Sequence, residues 1–160
     1  VIAELKNELN TKICQYEEEI AKIKIESREN TAKIRNEAKE STALLVKDNC
    51  ITEGSRSNVF FIRGGMVLTP PGSEVLKGIT RQKIIELCKK LHYNVIEESI
   101  STNRLNEMDA AFLTGTSPKV LGIRRIGSVV YPINNPIISS LAKSYDDLIA
   151  AYIQDNARVL

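Results

Sequence analysis

At 160 residues, with 42% hydrophobic and 26% charged residues, the chain is long enough for one packed domain, or for one domain with an appendage. Its net charge of +2, with bases and acids interspersed, offers no electrostatic footprint for nucleic acid. No apolar run approaches a membrane span and no secretory pattern is present, so a cytoplasmic protein with no membrane contact is expected. The three cysteines, Cys14, Cys50 and Cys88, are odd in number and lack metal-ligand spacing, which reads as reduced thiols. The single histidine, His92, reads as a solvated helix end, and no metal site is expected.

The chain falls into two compositional regions, 1–42 and 43–160. In the first, Ile2, Leu5, Leu9, Ile13, Tyr16 and Ile20 recur at steps of three and four, which predicts an amphipathic helix from Val1 to about Ile20. Its short heptad-like seam allows either dimerisation or packing on its own domain. Lys22-Ile23-Lys24-Ile25-Glu26 alternates and predicts a short strand, and Ser27 to Glu40 is polar helix or loop.

The second region is punctuated into short elements. Ala43 to Val46 reads as a strand with Lys47-Asp48-Asn49 as its turn, and Arg63-Gly64-Gly65 joins a hairpin of Val59–Ile62 and Met66–Leu68. Pro70-Pro71-Gly72 ends that strand. Thr80 is expected to cap a helix to about Leu91, with Ile84, Ile85, Leu87, Cys88 and Leu91 facing inward. Strands follow at Val95–Ile100 and Ala110–Leu113, with Val120–Ile123 and Ser128–Tyr131 as a hairpin. A final helix, Ile137 to Gln154, turns Ile138, Leu141, Tyr145, Leu148, Ile149 and Tyr152 to the core. The fold class is mixed α/β (α+β) with mostly antiparallel neighbours.

Three stretches carry candidate chemistry. Ile51-Thr52-Glu53-Gly54-Ser55-Arg56-Ser57-Asn58-Val59-Phe60-Phe61-Ile62 places Glu53 at a strand end before an apolar run. Leu76-Lys77-Gly78-Ile79-Thr80-Arg81 opens a helix, whose free N–H groups and dipole suit a phosphate, although most helix starts bind nothing. Thr114-Gly115-Thr116-Ser117-Pro118 adds hydroxyls and N–H groups at another strand end, as an ordinary turn also does. Together they favour a phosphate-bearing cofactor without naming it.

From about Ala43 to Ile123 these stretches, in this order, resemble the class IV aminotransferases, pyridoxal 5'-phosphate enzymes of fold type IV that include branched-chain and D-amino-acid aminotransferases. The resemblance implies that 43–160 is their large C-terminal, cofactor-binding domain, behind a helical lead-in. It implies that Glu53 pairs with the pyridine nitrogen and that Leu76 packs on the ring. Gly78, Ile79 and Thr80 would hold the phosphate together with Gly115 and Thr116, and the Ser117 N–H would face the substrate carboxylate. An amino acid and a 2-oxo acid are the implied substrates and a homodimer the implied assembly.

The family also needs a lysine that bonds the cofactor. Arg28-Glu29-Asn30-Thr31-Ala32-Lys33-Ile34-Arg35-Asn36 resembles the family's context for it, which makes Lys33 the first choice and Lys22 the second; a solvated lysine fits the same polar stretch. Between Lys33 and the strand at Ala43 the chain is shorter than the family pattern, and the small N-terminal domain is expected to be missing. Three readings follow: an aminotransferase or a related aminodeoxychorismate-lyase-like enzyme, an inactive truncated member, and a dimerisation or binding module.

Overall fold

Residues 12, 15, 16, 19–22 and 43–157 are described in the computed structural model of the chain. It divides into two compact units, 1–37 and 38–160. In the first unit the described residues are helical and exposed, Tyr16 and Ile20 included. Lys22, the first residue of the expected strand, is helical, and residues 23–26 lie outside the described residues. The apolar positions Ile2, Leu5, Leu9 and Ile13, the stretch from Ser27 to Glu40, and Lys33 within it lie outside the described residues.

The second unit is built on a sheet whose strands follow the sequence punctuation. β1 (Leu44–Lys47) and β2 (Cys50–Gly54) form a hairpin over Asp48 and Asn49, both with positive φ (50° and 62°). β3 (Ser57–Arg63) and β4 (Met66–Thr69) turn over Gly64 and Gly65, at φ 55° and 80°, the mirror-image turn that matches strand twist. Helix α1 (Ile79–Lys90) then carries the chain across to β5 (Val95–Glu97), which lies parallel to β4. The segment expected as one strand over Val95–Ile100 is thus two: β6 (Ile100–Ser101) leaves to pair with β2. A 3₁₀ turn (Thr102–Glu107) leads into β7 (Ala110–Gly115), which pairs with β3 along five residue pairs from Asn58↔Thr114 to Ile62↔Ala110.

The expected hairpin of Val120–Ile123 with Ser128–Tyr131 does not form. β8 (Lys119–Ile123) returns along β7, and β9 (Arg125–Ile126) pairs with β10 (Val129–Val130). Gly127 at φ 57° allows the tighter turn, which the sequence pattern overlooked. α2 spans Pro136–Ala157.

Both faces of the sheet are covered, so β3 reads as a continuous apolar run. Phe60, Ile62, Ala110 and Phe112 pack under Ile84, Leu87 and Cys88 of α1 and Ile138, Leu141 and Tyr145 of α2. Val59, Phe61, Ala111 and Leu113 face Ile51, Ile100, Leu105, Met108 and Tyr131 on the other side. Burial pushes the Cys88 thiol up to about 11, so it stays protonated as a small apolar filler. In α2, Leu148 and Tyr152 are exposed although their spacing predicts core. Tyr145 and Ile149 make the contact with the core instead, on one flank of the apolar stripe. His92, at φ 60°, is exposed in the left-handed residue that closes α1. The Tyr93 and His92 N–H groups there donate to Cys88 O (2.8 Å) and Lys89 O (3.2 Å).

The loop from β4 to α1 is anchored at its start by Arg81. Its guanidinium, only 4% exposed, donates to Pro70 O (2.9 Å) and to Glu97 Oε2 (2.7 Å). The Gly72 N–H donates to the same oxygen at 2.8 Å. The Arg81 hydrogen bond, then the Gly72 N–H, hold the Glu97 carboxylate below its ordinary value of 4.5. A depressed folded value gives a contribution that is full above the unfolded pKa and is lost as pH falls through the folded one. Wild type should therefore exceed Glu97→Gln in urea stability at neutral pH by about 1 kcal/mol or less, because Glu97 is half-exposed. That advantage should vanish in the acid range below 4.5. A gap that persists there would assign the difference to packing.

Candidate functional site

The helix-side layer of the core ends in polar residues at one edge of the sheet. Counting in twos along β3 from Ile62 and Phe60 reaches Asn58, and along β7 from Ala110 and Phe112 reaches Thr114. Asn58 stands opposite Thr114 on one side and opposite Glu53 of β2 on the other. Glu53, Asn58 and Thr114 therefore form one row across three strands, immediately beyond the apolar layer.

The loop before α1 lies over this row. Glu53 Oε2 accepts from the Leu76 N–H (3.1 Å) and from Asn58 Nδ2 (3.3 Å), and Asn58 Nδ2 also donates to Leu76 O at 2.8 Å. The loop turns into α1 at Gly78, the N-cap, and the first intrahelical bond is Gln82 N–H to Gly78 O at 3.1 Å. The N–H groups of Ile79, Thr80 and Arg81 precede it and are left to an outside acceptor. Thr80 does not cap the helix as its sequence position predicts. It is the second residue of the helix, buried, with its hydroxyl 3.3 Å from Tyr145 Oη of α2. Tertiary packing against α2 outweighs the local capping preference.

A cavity of about 180 Å³ collects these groups, lined by Glu53, Asn58, Leu76, Gly78, Ile79 and Thr80, with Thr114, Gly115 and Thr116 and the turn from Gly54 to Ser57. It falls short of the ~300 Å³ at the small end of ligand pockets, so these residues form one wall rather than an enclosure. Of the residues singled out in the sequence, Glu53, Leu76, Gly78, Ile79, Thr80, Gly115 and Thr116 meet here. Ser117 is exposed and outside the lining, Lys22 belongs to the other unit, and Lys33 is not among the described residues. Asn58 and Thr114 have no site role of their own in the sequence pattern, although both stand inside its candidate stretches, and Tyr145 is expected there only as a core residue.

Two observations fit a phosphorylated ring. The hydroxyls of Ser57 and Thr114 are buried beside the cavity without a partner among the described residues, a costly state that a ligand oxygen relieves. Leu76 and Ile79, exposed at 75% and 80%, present apolar surface at the rim beside the helix N-terminus. An apolar face, a carboxylate and a cluster of phosphate-type donors thus share one wall. Among the described residues no group of three or more His, Cys, Asp or Glu could hold a metal.

A mixed sheet thus presents a carboxylate opposite a helix N-terminus and a hydroxyl turn. Residues 6–126 match the profile of the amino-transferase class IV family, and the chain belongs to that family. The match begins well before Ala43, so the family likeness includes most of the first unit. The chain is 30% identical over 116 residues to the branched-chain-amino-acid aminotransferase of Pseudomonas aeruginosa, across 71% of this chain and 38% of that one. It is 31% identical over 117 residues to the D-alanine aminotransferase of Bacillus licheniformis, across 64% and 41%. The branched-chain amino acid aminotransferase of Thermobaculum terrenum, solved in its PLP (holo) form, superposes with a TM-score of 0.64 and 31% identity, covering 68% of this chain and 37% of that one. The chain thus spans about two fifths of the length of the curated relatives it matches. Class IV aminotransferases depend on pyridoxal phosphate, and the mixed α/β architecture is theirs. No described helix is long and apolar enough to cross a membrane.

Proposed function

We propose that this chain holds pyridoxal 5'-phosphate for an aminotransferase that moves an amino group between an amino acid and a 2-oxo acid. The observation that carries the reading is the meeting of Glu53, Leu76, the first turn of α1 and Thr116 around one cavity. When bound, the cofactor supplies an electron-withdrawing ring to the carbon bearing the amino group. Glu53 would keep the ring nitrogen protonated: both of its N–H donors meet Oε2, which leaves Oε1 to accept from a ring N–H. The N–H groups of Ile79 and Thr80, helped by the helix dipole, and the Thr116 hydroxyl would bind the phosphate, with Gly78 and Gly115 in the same two turns beside it. Leu76 would cover a ring face and exclude water. Lys33, with Lys22 as the alternative, would bond the cofactor and carry the proton at the reacting carbon, and the Ser117 N–H would receive the substrate carboxylate. A cytoplasmic homodimer is the assembly we assign, in keeping with the apolar rim at Leu76 and Ile79.

Titration of the purified protein with pyridoxal 5'-phosphate, followed by borohydride reduction and peptide mapping, tests this directly. A visible absorption band that reduction fixes on Lys33 alone is the expected result. Labelling scattered over surface lysines, or no band, would refute the reading.

A further inference from the structure

We propose that Asn58 is a positioning residue: it locks the Glu53 carboxylate to the loop before α1, and Gly78 is glycine because Asn58 fills the space a Cβ needs. The inference rests on the cofactor reading above and concerns how this chain's own residues prepare for the ring.

Asn58 is only 6% exposed, and its two amide hydrogens are both used, on Glu53 Oε2 (3.3 Å) and Leu76 O (2.8 Å). The Leu76 N–H closes the circuit on Glu53 Oε2 at 3.1 Å. Two acceptors face Nδ2, so a flipped amide would set oxygen against oxygen, and its orientation is determined. The strand pairing adds direction, because Asn58 stands directly opposite Glu53 and points up from the sheet beneath the loop. A glutamate otherwise has two free terminal torsions. Here one oxygen is committed twice, so the other is delivered to the cavity in a single orientation.

Gly78 supplies the independent observation. A Cβ built there lies 2.5 Å from Asn58 Oδ1, far inside contact distance. Asn58 cannot swing aside without breaking both of its bonds, so the pair fits only as glycine with asparagine. The loop thus has two moorings: Arg81 with Glu97 at Pro70 and Gly72, and Asn58 with Glu53 at Leu76 and Gly78.

The test uses pyridoxine 5'-phosphate, which lacks the aldehyde and so reports ring and phosphate contacts without the lysine. Its affinity and the pH titration of the bound ring's absorption are measured for wild type, Asn58→Ala, Asn58→Asp, Gly78→Ala, Glu53→Ala and the Ala double variants, with circular dichroism selecting folded protein. Asn58→Ala is expected to weaken binding at least about tenfold and to lower the pH at which the bound ring loses its proton by about one unit. Asn58→Asp, equal in size but without the donor, should be weaker still, an order that a packing role would reverse. In a Glu53→Ala background, Asn58→Ala should add little, and Asn58→Ala with Gly78→Ala should match Asn58→Ala alone. If Asn58→Asp does not fold, the Ala variants and these two cycles decide. Wild-type binding with Asn58→Ala indistinguishable from it, or independent Asn58 and Glu53 effects, overturns this inference alone. If wild type takes up no pyridoxine 5'-phosphate, the cofactor reading fails and this inference with it.

Discussion

Replacing Glu53 with alanine is expected to slow amino-group transfer by about a hundredfold or more. A carboxylate beside a ring nitrogen raises that nitrogen's pKa by roughly two units, each worth about 1.4 kcal/mol between its protonation states. If the protonated ring is needed in the transition state, the same energy appears as two powers of ten in rate. Glu53→Gln separates charge from shape: its side-chain oxygen can still accept from Leu76 N–H and Asn58 Nδ2, so the loop should keep its place. Gln is neutral, and a large rate loss with nearly normal cofactor affinity is the expected pattern. Single-turnover transfer measured with saturating cofactor checks both variants. Activity of Glu53→Ala within about threefold of wild type would mean that Glu53 does not face the ring.

The largest loss of stability should come from Phe112→Ala. The Phe112 ring stacks on Phe60, with centroids 5.0 Å apart and an interplanar angle of 9°, and both side chains are fully buried. They are the middle of the layer between the sheet and the two helices. Truncation there removes transfer free energy and leaves a cavity, together about 3–5 kcal/mol. Against a typical domain stability of about 5–15 kcal/mol, that is a large share. Urea unfolding without cofactor measures it, and a change below about 1 kcal/mol would show that the layer collapses freely around the gap. Thr114 follows Phe112 by two residues on the same face, so cofactor affinity should fall as well.

The elements of the second unit were legible wherever a local rule forces one answer. Asp48-Asn49 and Gly64-Gly65 accept positive φ, Pro70-Pro71 cannot continue a strand, and Val59–Ile62 can only be a strand buried on both faces. Where two placements satisfy the same local pattern, the tertiary structure chooses between them. Val95–Ile100 is apolar enough for one strand, yet β5 and β6 diverge to different neighbours, which is decided by where β2 and β4 already lie. Val120–Ile123 pairs along β7, and residues 129–130 pair with 125–126 instead. Leu148 and Tyr152 follow the helical period, but a period alone does not fix which flank of a wide apolar stripe meets the core.

The site divides along the same line. The residue types and their order, a carboxylate before an apolar strand, a glycine before a helix and a threonine turn after a strand, belong to the sequence and were enough to indicate the family. That Glu53, Asn58 and Thr114 stand in one row is a matter of strand register, and residues five and sixty-one positions from Glu53 became neighbours only through pairing. The role of Asn58, the reason for Gly78 and the turning of the Thr80 hydroxyl toward Tyr145 were likewise decided by tertiary structure. Propensity and periodicity act over a few residues of chain, whereas hydrogen bonds and steric exclusion act over a few ångströms of space. Only the folded sheet brings the two scales together.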